Sequence, residues 1–395
     1  MSLIRRTATR LADGREFFYF DDTPPYSTGE ATRRLDDPRP LADRFAPIPG
    51  PDGTTLPVTG PQMRRDPLTG EWIPMATHRM NRTFLPGPGS NPLAPANPDS
   101  EYADGEIPDV DYDVVVFENR FPSLMQVPGQ AVGESYVDDN PLWPTRPAAG
   151  RCEVICFSPD PQMSLSGVTQ TRMRTIVEAW TDRTRELSAL AGIEQVFIFE
   201  NRGEEIGVTL HHPHGQIYAY PYLTPRTEQM LTQARAHRER TGGNLLGDIL
   251  EAELASGRRV VARTKHWAAY VPAAARWPVE VHVAPLRDVP DLPALTEEER
   301  EDFAGLYLRL LRRLERFFVD DSGAPIPLPY ISGFHQAPVR EGRDDLRLHL
   351  QFFSLLRAPG KLKYLAGSES GMGAWISDTS PERIADRLAE IRDDE

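Results

Sequence analysis

Two stretches of this chain carry the same spacing of core-type side chains. In TRMRTIVEAWTDRTREL (171–187) they are Met173, Ile176, Val177, Trp180, Thr184 and Leu187; in TEEEREDFAGLYLRLLRRLERFF (296–318) they are Phe303, Leu306, Tyr307, Leu310, Leu314 and Phe317. Steps of 3, 1, 3, 4 and 3 in both trace one side of an α-helix. Thr296 and Glu299 add a capping-box signature to the second helix. A strand-like run precedes each helix, EVICFSPD (153–160) and VEVHVAPL (279–286). After each comes an extended run and then a polar-studded strand: EQVFIFENRG leads to HHPHGQIYAY, and LPYISGFHQAP leads to LRLHLQFFSLL. The histidines are read as corresponding, His212-x-His214 with His349-x-Gln351. Because the order of elements repeats as well as the period, the pattern predicts two related α+β halves.

Outside the repeat, residues 22–60 and 84–111 are rich in Pro, Asp and Gly and read as arms or loops. Between them RRDPLTGEWIPMA places the turn residues Asp66-Pro67-Leu68-Thr69-Gly70 between two short extended pieces, which predicts a hairpin. The expected organisation is an N-terminal arm (1–60), a first half (61–221) and a second half (222–395).

Composition narrows the function classes. With 395 residues, 39% apolar, the chain is long enough for one large domain or two moderate ones. A net charge of −14 argues against nucleic acid as partner, since a phosphate backbone needs a basic face. It leaves room for a single bound nucleotide, which needs only a few local arginines and backbone donors. Cys152 and Cys156 fall on one strand, roughly 13 Å apart at about 3.3 Å per residue, too far for a bridge. They read as buried thiols in a reduced compartment. No apolar run resembles a signal peptide or a membrane span, so a cytoplasmic protein is expected, with no membrane partner.

The chemistry concentrates in VTLHHPHGQIYAY. On a strand, His212, His214 and Gln216 would share one face, neighbours about 6.6 Å apart. Pro213 cannot donate a ladder hydrogen bond, which puts the segment at an edge or mouth of a sheet. Three readings compete. The polar groups simply face solvent; or they bind a metal, for which His-x-His supplies only two of the three or four ligands required; or one imidazole attacks phosphorus while the Gln216 amide holds a phosphoryl oxygen.

HPHGQ, with FENRG upstream, resembles the galactose-1-phosphate uridylyltransferase family, a branch of the histidine-triad superfamily with Gln where related hydrolases carry a third His. RRDPLTGEWIPMATHRMNR, VVVFENRFPSL, GRCEVICFSPD, WPVEVHVAP, GFHQAP, LRLHLQFF and KLKYLAGSESGM resemble its other segments in order. The resemblance implies two histidine-triad-like halves, each an antiparallel sheet with a packed long helix, in a duplicated half-barrel-like arrangement. It implies exchange of a uridylyl group between UDP-glucose and galactose 1-phosphate, giving glucose 1-phosphate and UDP-galactose by double displacement. His214 would be the nucleophile, Gln216 a donor to the phosphoryl oxygens, and His212 an orienting group. Thr209 stands where the family has a hydroxyl. Arg79 and Arg82 match arginines that reach the sugar phosphate, in relatives from the neighbouring subunit; on their own they would read as solvated surface charge. Asn119 and Phe121 match uridine and ribose contacts, Asn201 a phosphate or ribose contact, and Lys363, Tyr364 and Glu369 the segment that grips the hexose. A homodimer is expected, and no cofactor is required for the chemistry.

The chain also departs from the family. Relatives often hold a structural zinc, and at its positions this chain has Asn91, Ala94 and Pro161, leaving only His212. One imidazole without thiolates cannot build a tetrahedral zinc site, so this zinc is expected to be absent. At a second metal position, iron or zinc in relatives, His335 and His349 match but the third ligand is Gln351, with Glu228 as a loose candidate for the carboxylate. His237 reads as solvated and His282 as a core or lining residue. Two alternatives stay open: another nucleotidyl enzyme, such as a nucleoside-diphosphate-sugar phosphorylase or a dinucleoside polyphosphate hydrolase, and a non-catalytic nucleotide- or metal-binding protein on a decayed scaffold. Gln216 disfavours the hydrolase.

Overall fold

Both long amphipathic helices form where the spacing predicts them in the computed structural model, which describes residues 4–41, 47–49, 55–56, 60–81, 91–96, 105–126, 133 and 135–391. Helix Gln170–Ser188 begins at Thr169, whose side chain accepts a hydrogen bond from Arg172 N. Met173, Ile176, Val177, Trp180, Thr184 and Leu187 are all buried. Helix Glu297–Glu315 carries the full capping box of Thr296 and Glu299 and buries Phe303, Leu306, Tyr307, Leu310 and Leu314. Phe317 is buried just past its end.

Both helices lie against one face of an 11-stranded antiparallel sheet. From one edge the strands run Arg5–Arg10, Glu16–Asp21, Val114–Glu118, Arg151–Cys156, His214–Tyr220 and Gln195–Arg202. The sheet continues through Tyr330–His335, His349–Ser354, Val279–Pro285, Trp267–Tyr270 and Val260–Arg263. Outward from the central pair Gln195–Arg202 and Tyr330–His335, both sides read the same. The strand after the long helix lies innermost, the polar-studded strand comes next, and the strand before the helix lies outside it. The half-barrel-like halves implied by the resemblance are thus two sides of one open, continuous sheet. The polar-studded strands begin at His214 and His349 and have Gln216 and Gln351 as their third residues. By strand position His349 therefore matches His214 rather than His212.

Residues 5–21, placed by the sequence in an N-terminal arm, are instead two strands of this sheet, with Phe17–Phe20 paired to Val114–Phe117. EFFYF is a continuous apolar run because helices cover one face and a second cluster around Tyr112 and Ile107 covers the other. The predicted hairpin forms as strands Gln62–Arg65 and Trp72–Met75. Asp66 N bonds Glu71 O at 2.9 Å, and Gly70 takes the positive φ of 76° that its turn requires. The hairpin belongs to a separate four-stranded sheet with Pro144–Pro147 and Ser135–Tyr136.

Trp180 stacks edge-on against both Phe157 and Phe334, at ring-centroid distances of 6.2 and 5.4 Å, so one side chain packs against both halves. At the same seam Glu200 is buried on the helix side, accepting from Tyr330 Oη at 2.9 Å. Burial pushes its carboxyl up to about 7, against the Tyr330 hydroxyl and Arg202, with Glu315 adding to the rise. The native protein therefore keeps a proton that the unfolded chain releases near 4.5. That contribution is fully present below about 4.5 and is lost as pH rises through about 7. Glu200→Gln should consequently gain stability relative to the parent between pH 5 and 8, by on the order of 2–3 kcal/mol. Urea unfolding across that range checks this; a pH-independent difference would contradict it.

Candidate active site

Strand His214–Tyr220 alternates in burial: Gly215, Ile217 and Ala219 point toward the helices, and His214, Gln216, Tyr218 and Tyr220 toward the opposite face. Gly215 is needed for this placement. A Cβ there would lie 2.9 Å from Phe157 Cζ and 3.0 Å from Phe199 O, forcing the strand off its neighbours.

His214 is half-buried, and its Nδ1 stands 2.7 Å from the His212 carbonyl. A carbonyl only accepts, so Nδ1 carries the proton and Nε2 keeps its lone pair. Burial lowers the imidazole pKa, opposed by that hydrogen bond, so the ring is neutral at pH 7. Tyr218 Oη lies 3.1 Å from Gln216 Oε1 on the same face. Glu200 pairs with Gly215, which sets Asn201, next along its strand, beside His214. Thr209 lies partly exposed on the loop entering the strand.

His212 lies ahead of the strand and is buried rather than presented beside His214, contrary to the alternation expected of a strand. The strand begins at His214, and His212-Pro213 form a bend in which Pro213 offers only its carbonyl, to Phe157 N. His212 is 2% exposed. Its Nε2 is 2.8 Å from both Ser158 O and Tyr112 Oη, and its Nδ1 is 3.1 Å from Asn91 Nδ2. Nε2–H donates to the carbonyl, and Nδ1 accepts from the amide. Burial pushes this imidazole down to about 4, against the Ser158 bond.

The position where relatives hold zinc therefore does not fit a metal. Both His212 nitrogens are engaged, and Asn91, Ala94 and Pro161 supply neither thiolate nor imidazole. The second position does not fit either. Among the described residues no group of three or more His, Cys, Asp or Glu is arranged to hold a metal ion. Glu228 is exposed on helix Pro225–Thr241; the carboxylate that meets the histidines is Glu280. It accepts from His282 Nε2 (3.1 Å), Gln351 Nε2 (2.7 Å) and the backbone of Arg276 and Trp277. Burial raises its pKa, but these donors, His282 foremost, bring it down to about 2. His335 Nε2 is 3.1 Å from Gln351 Oε1, the Arg226 guanidinium lies 3.5 Å from the same oxygen, and His349 stacks on His335 at 4.9 Å. A carboxylate already saturated with donors beside a fixed guanidinium is a poor cation site.

The other sequence candidates divide. Asn119 Oδ1 accepts from Phe121 N at 2.8 Å in the turn after strand Val114–Glu118. Arg79 Nη1 donates to Phe121 O at 2.9 Å, and its guanidinium acts on the Tyr218 phenol, so Arg79 reaches this region within one chain. Arg82 lies outside the described residues. Lys363 is buried in a separate cluster with Glu369 and Asp378, each 3.5 Å away, while Tyr364 is 71% exposed. His237, read as solvated, is paired with Asp248 at 2.5 Å. A groove of about 1850 Å³ on the helix side, ringed by residues such as Arg174, Glu178, Arg300 and Glu301, contains none of the predicted site residues.

Tyr218, Glu280 and His282 were legible as same-face neighbours at period two, but only the fold gives them partners. Tyr112 and Ser158 carried no local signal.

The family model described as galactose-1-phosphate uridyl transferase, N-terminal domain, matches residues 54–224, and the C-terminal domain of the same family matches 229–394. The galactose-1-phosphate uridylyltransferase of Streptomyces lividans is 44% identical over 404 residues, covering 99% of both chains. The chain belongs to the galactose-1-phosphate uridylyltransferase family. A Thermotoga maritima member is 34% identical, covering 83% of this chain and 98% of its own. A solved uridylyltransferase structure superposes with a TM-score of 0.72 at 32% identity, covering 84% of this chain and 98% of that one. An Arabidopsis thaliana ADP-glucose phosphorylase shares the fold at 21% identity and a TM-score of 0.60.

In this family member, His212 ties stability to pH. The unfolded imidazole takes up a proton near 6.5 and the native one near 4, so its contribution is whole above 6.5 and lost as pH falls toward 4. The stability advantage of the parent over His212→Gln should narrow by on the order of 3 kcal/mol across that interval. Urea midpoints at stepped pH measure it, and an advantage that stays constant would rule the linkage out.

Proposed function

We propose that this chain moves a uridylyl group from UDP-glucose to galactose 1-phosphate through a covalent intermediate on His214. The observation that carries the reading is the 2.7 Å contact from His214 Nδ1 to the His212 carbonyl, which leaves Nε2 as a free lone pair on the exposed side of a neutral ring. In the first step Nε2 attacks the α-phosphorus of UDP-glucose; a P–N bond forms, the bond to the β-phosphate oxygen breaks, and glucose 1-phosphate leaves. In the second a phosphate oxygen of galactose 1-phosphate attacks the same phosphorus, the P–N bond breaks and UDP-galactose is released with His214 restored. The ring becomes positive as the P–N bond forms, and the carbonyl dipole on Nδ1–H stabilises that charge. Splitting one phosphoryl transfer in two also keeps the uridylyl group on the protein while sugar phosphates exchange.

The supporting cast follows the same logic. The Gln216 amide, the Arg79 and Arg82 guanidinium groups and the Thr209 hydroxyl supply donors to the phosphoryl oxygens, with Asn201 next to His214. Asn119 and Phe121 hold the uridine and ribose, and Lys363, Tyr364 and Glu369 the hexose. His212 orients the nucleophile through its carbonyl. We read the chemistry as metal-free and the zinc of relatives as replaced by the hydrogen bonds among His212, Asn91, Ser158 and Tyr112. Tyr364, Leu365, Met372 and Ile376 of this segment are exposed large apolar side chains, which supports a homodimer in which a second copy covers them. No helix among the described residues is long and apolar enough to cross a membrane, and both cysteines are free and buried, which supports a reduced, cytoplasmic setting.

Incubation with UDP-glucose labelled in the uracil ring should leave one label per chain on the parent protein and none on His214→Asn. Turnover should fall by more than about 10⁴-fold, with the melting temperature little changed. Normal turnover by the variant would remove His214 from the mechanism.

A further inference from the structure

Tyr218 stands two residues beyond Gln216 on the same face of the site strand and has no part in the reaction as described above. Its ring is held by an edge-on contact to Phe199, with centroids 5.2 Å apart at 76°, and a tilted contact to Tyr220 at 5.9 Å. Across the sheet it pairs with Cys152, in a cluster with Met63, Leu124 and Ala148. Such packing leaves the phenol oxygen little freedom. The oxygen meets three polar neighbours: the Gln216 carboxamide at 3.1 Å, the Arg79 guanidinium and the Ser123 hydroxyl.

The proton inventory of these groups decides the direction of the contact. A guanidinium can only donate and the Ser123 hydroxyl donates as well, so the phenol oxygen faces donors on those two sides and its single proton goes to a third neighbour. Gln216 Oε1 lies at hydrogen-bonding distance and can take it. Turning the carboxamide over would point N–H at an oxygen that already faces a guanidinium and leave the hydroxyl proton without that acceptor. The same turn would aim a carbonyl oxygen, rather than N–H, at the phosphoryl group.

We infer that Tyr218 is a positioning residue for uridylyl transfer: by donating to Gln216 Oε1 it locks the carboxamide with its N–H groups toward the transferred phosphoryl group. This rests on the role proposed for Gln216. Arg79 is held in turn by the Phe121 carbonyl at 2.9 Å. A chain of polar contacts thus runs from the Asn119–Phe121 turn through Arg79 and Tyr218 to Gln216. Positioned donors act mainly on the transition state, so the loss should fall on kcat.

Tyr218→Phe keeps the ring and its packing and removes only the hydroxyl. Its kcat should drop about tenfold, the scale of one well-placed hydrogen bond, with KM for UDP-glucose within about twofold of the parent. The melting temperature should hold, showing that the fold survives. Gln216→Ala should lose at least as much, and the double variant should be no slower than Gln216→Ala alone, because the phenol acts through that side chain. Full kcat in Tyr218→Phe beside an impaired Gln216→Ala would overturn the positioning role while leaving the reading of the site intact. Losses that multiply in the double variant would also overturn it, since the phenol would then act elsewhere. Full activity of Gln216→Ala would remove the role of Gln216, and with it this inference.

Discussion

The arrangement described here depends on one hydrogen bond, from His214 Nδ1 to the carbonyl of His212. An imidazole is a nucleophile only at the nitrogen without a proton, so whatever holds the proton selects the reactive atom. Here the carbonyl two residues back does so, with Pro213 in a bend between them. That bend also buries His212, whose ring is then tied to Ser158, Tyr112 and Asn91. The His212 ring network therefore fixes the carbonyl that takes the His214 proton. Gly215 completes the constraint, because the strand must pass within van der Waals reach of Phe157 and the Phe199 backbone to bring His214 and Gln216 to the open face.

Duplication shows what happens to the same device under different cover. In the second half His349 begins the matching strand, its Nδ1 lies 3.3 Å from the Arg347 carbonyl, and Gln351 follows at the third position. The local pattern is the one used by His214 and Gln216. Yet His349 and Gln351 are only 8% and 5% exposed, and Gln351 is spent on Glu280 and His335. Arg226 at the start of helix Pro225–Thr241 lies against the cluster. One copy of the strand keeps its histidine and glutamine partly exposed, and the other is closed into a buried polar network.

Both clusters meet the cost of burying polar groups by pairing them. Around His212 the pairing is neutral: amide, imidazole, phenol and carbonyl. Around Glu280 it is ionic, with one carboxylate taking two side-chain and two backbone donors. Either solution fills the polar capacity that metal coordination would otherwise need.

Much of this protein was legible along the chain. The two helices, their buried faces and the Thr296–Glu299 cap follow from local spacing and capping chemistry. The duplicated order of elements and the HPHGQ resemblance to the family also need no long-range contact to be seen. What the chain could not show is where those pieces meet. Residues 5–21 look like an arm until they pair with Val114–Phe117. His212 alternates correctly for the site face, yet it sits in a bend ahead of the strand and is buried against Tyr112 and Asn91. Tyr112 reaches His212 across 100 positions, and Glu280 rather than Glu228 meets the histidines. Periodicity and capping are short-range effects set by neighbours a few residues apart, so sequence alone determined them. Tautomer choice, donor saturation and the exposure that separates His214 from His349 depend on atoms brought together by strand pairing, and only the tertiary structure decided those.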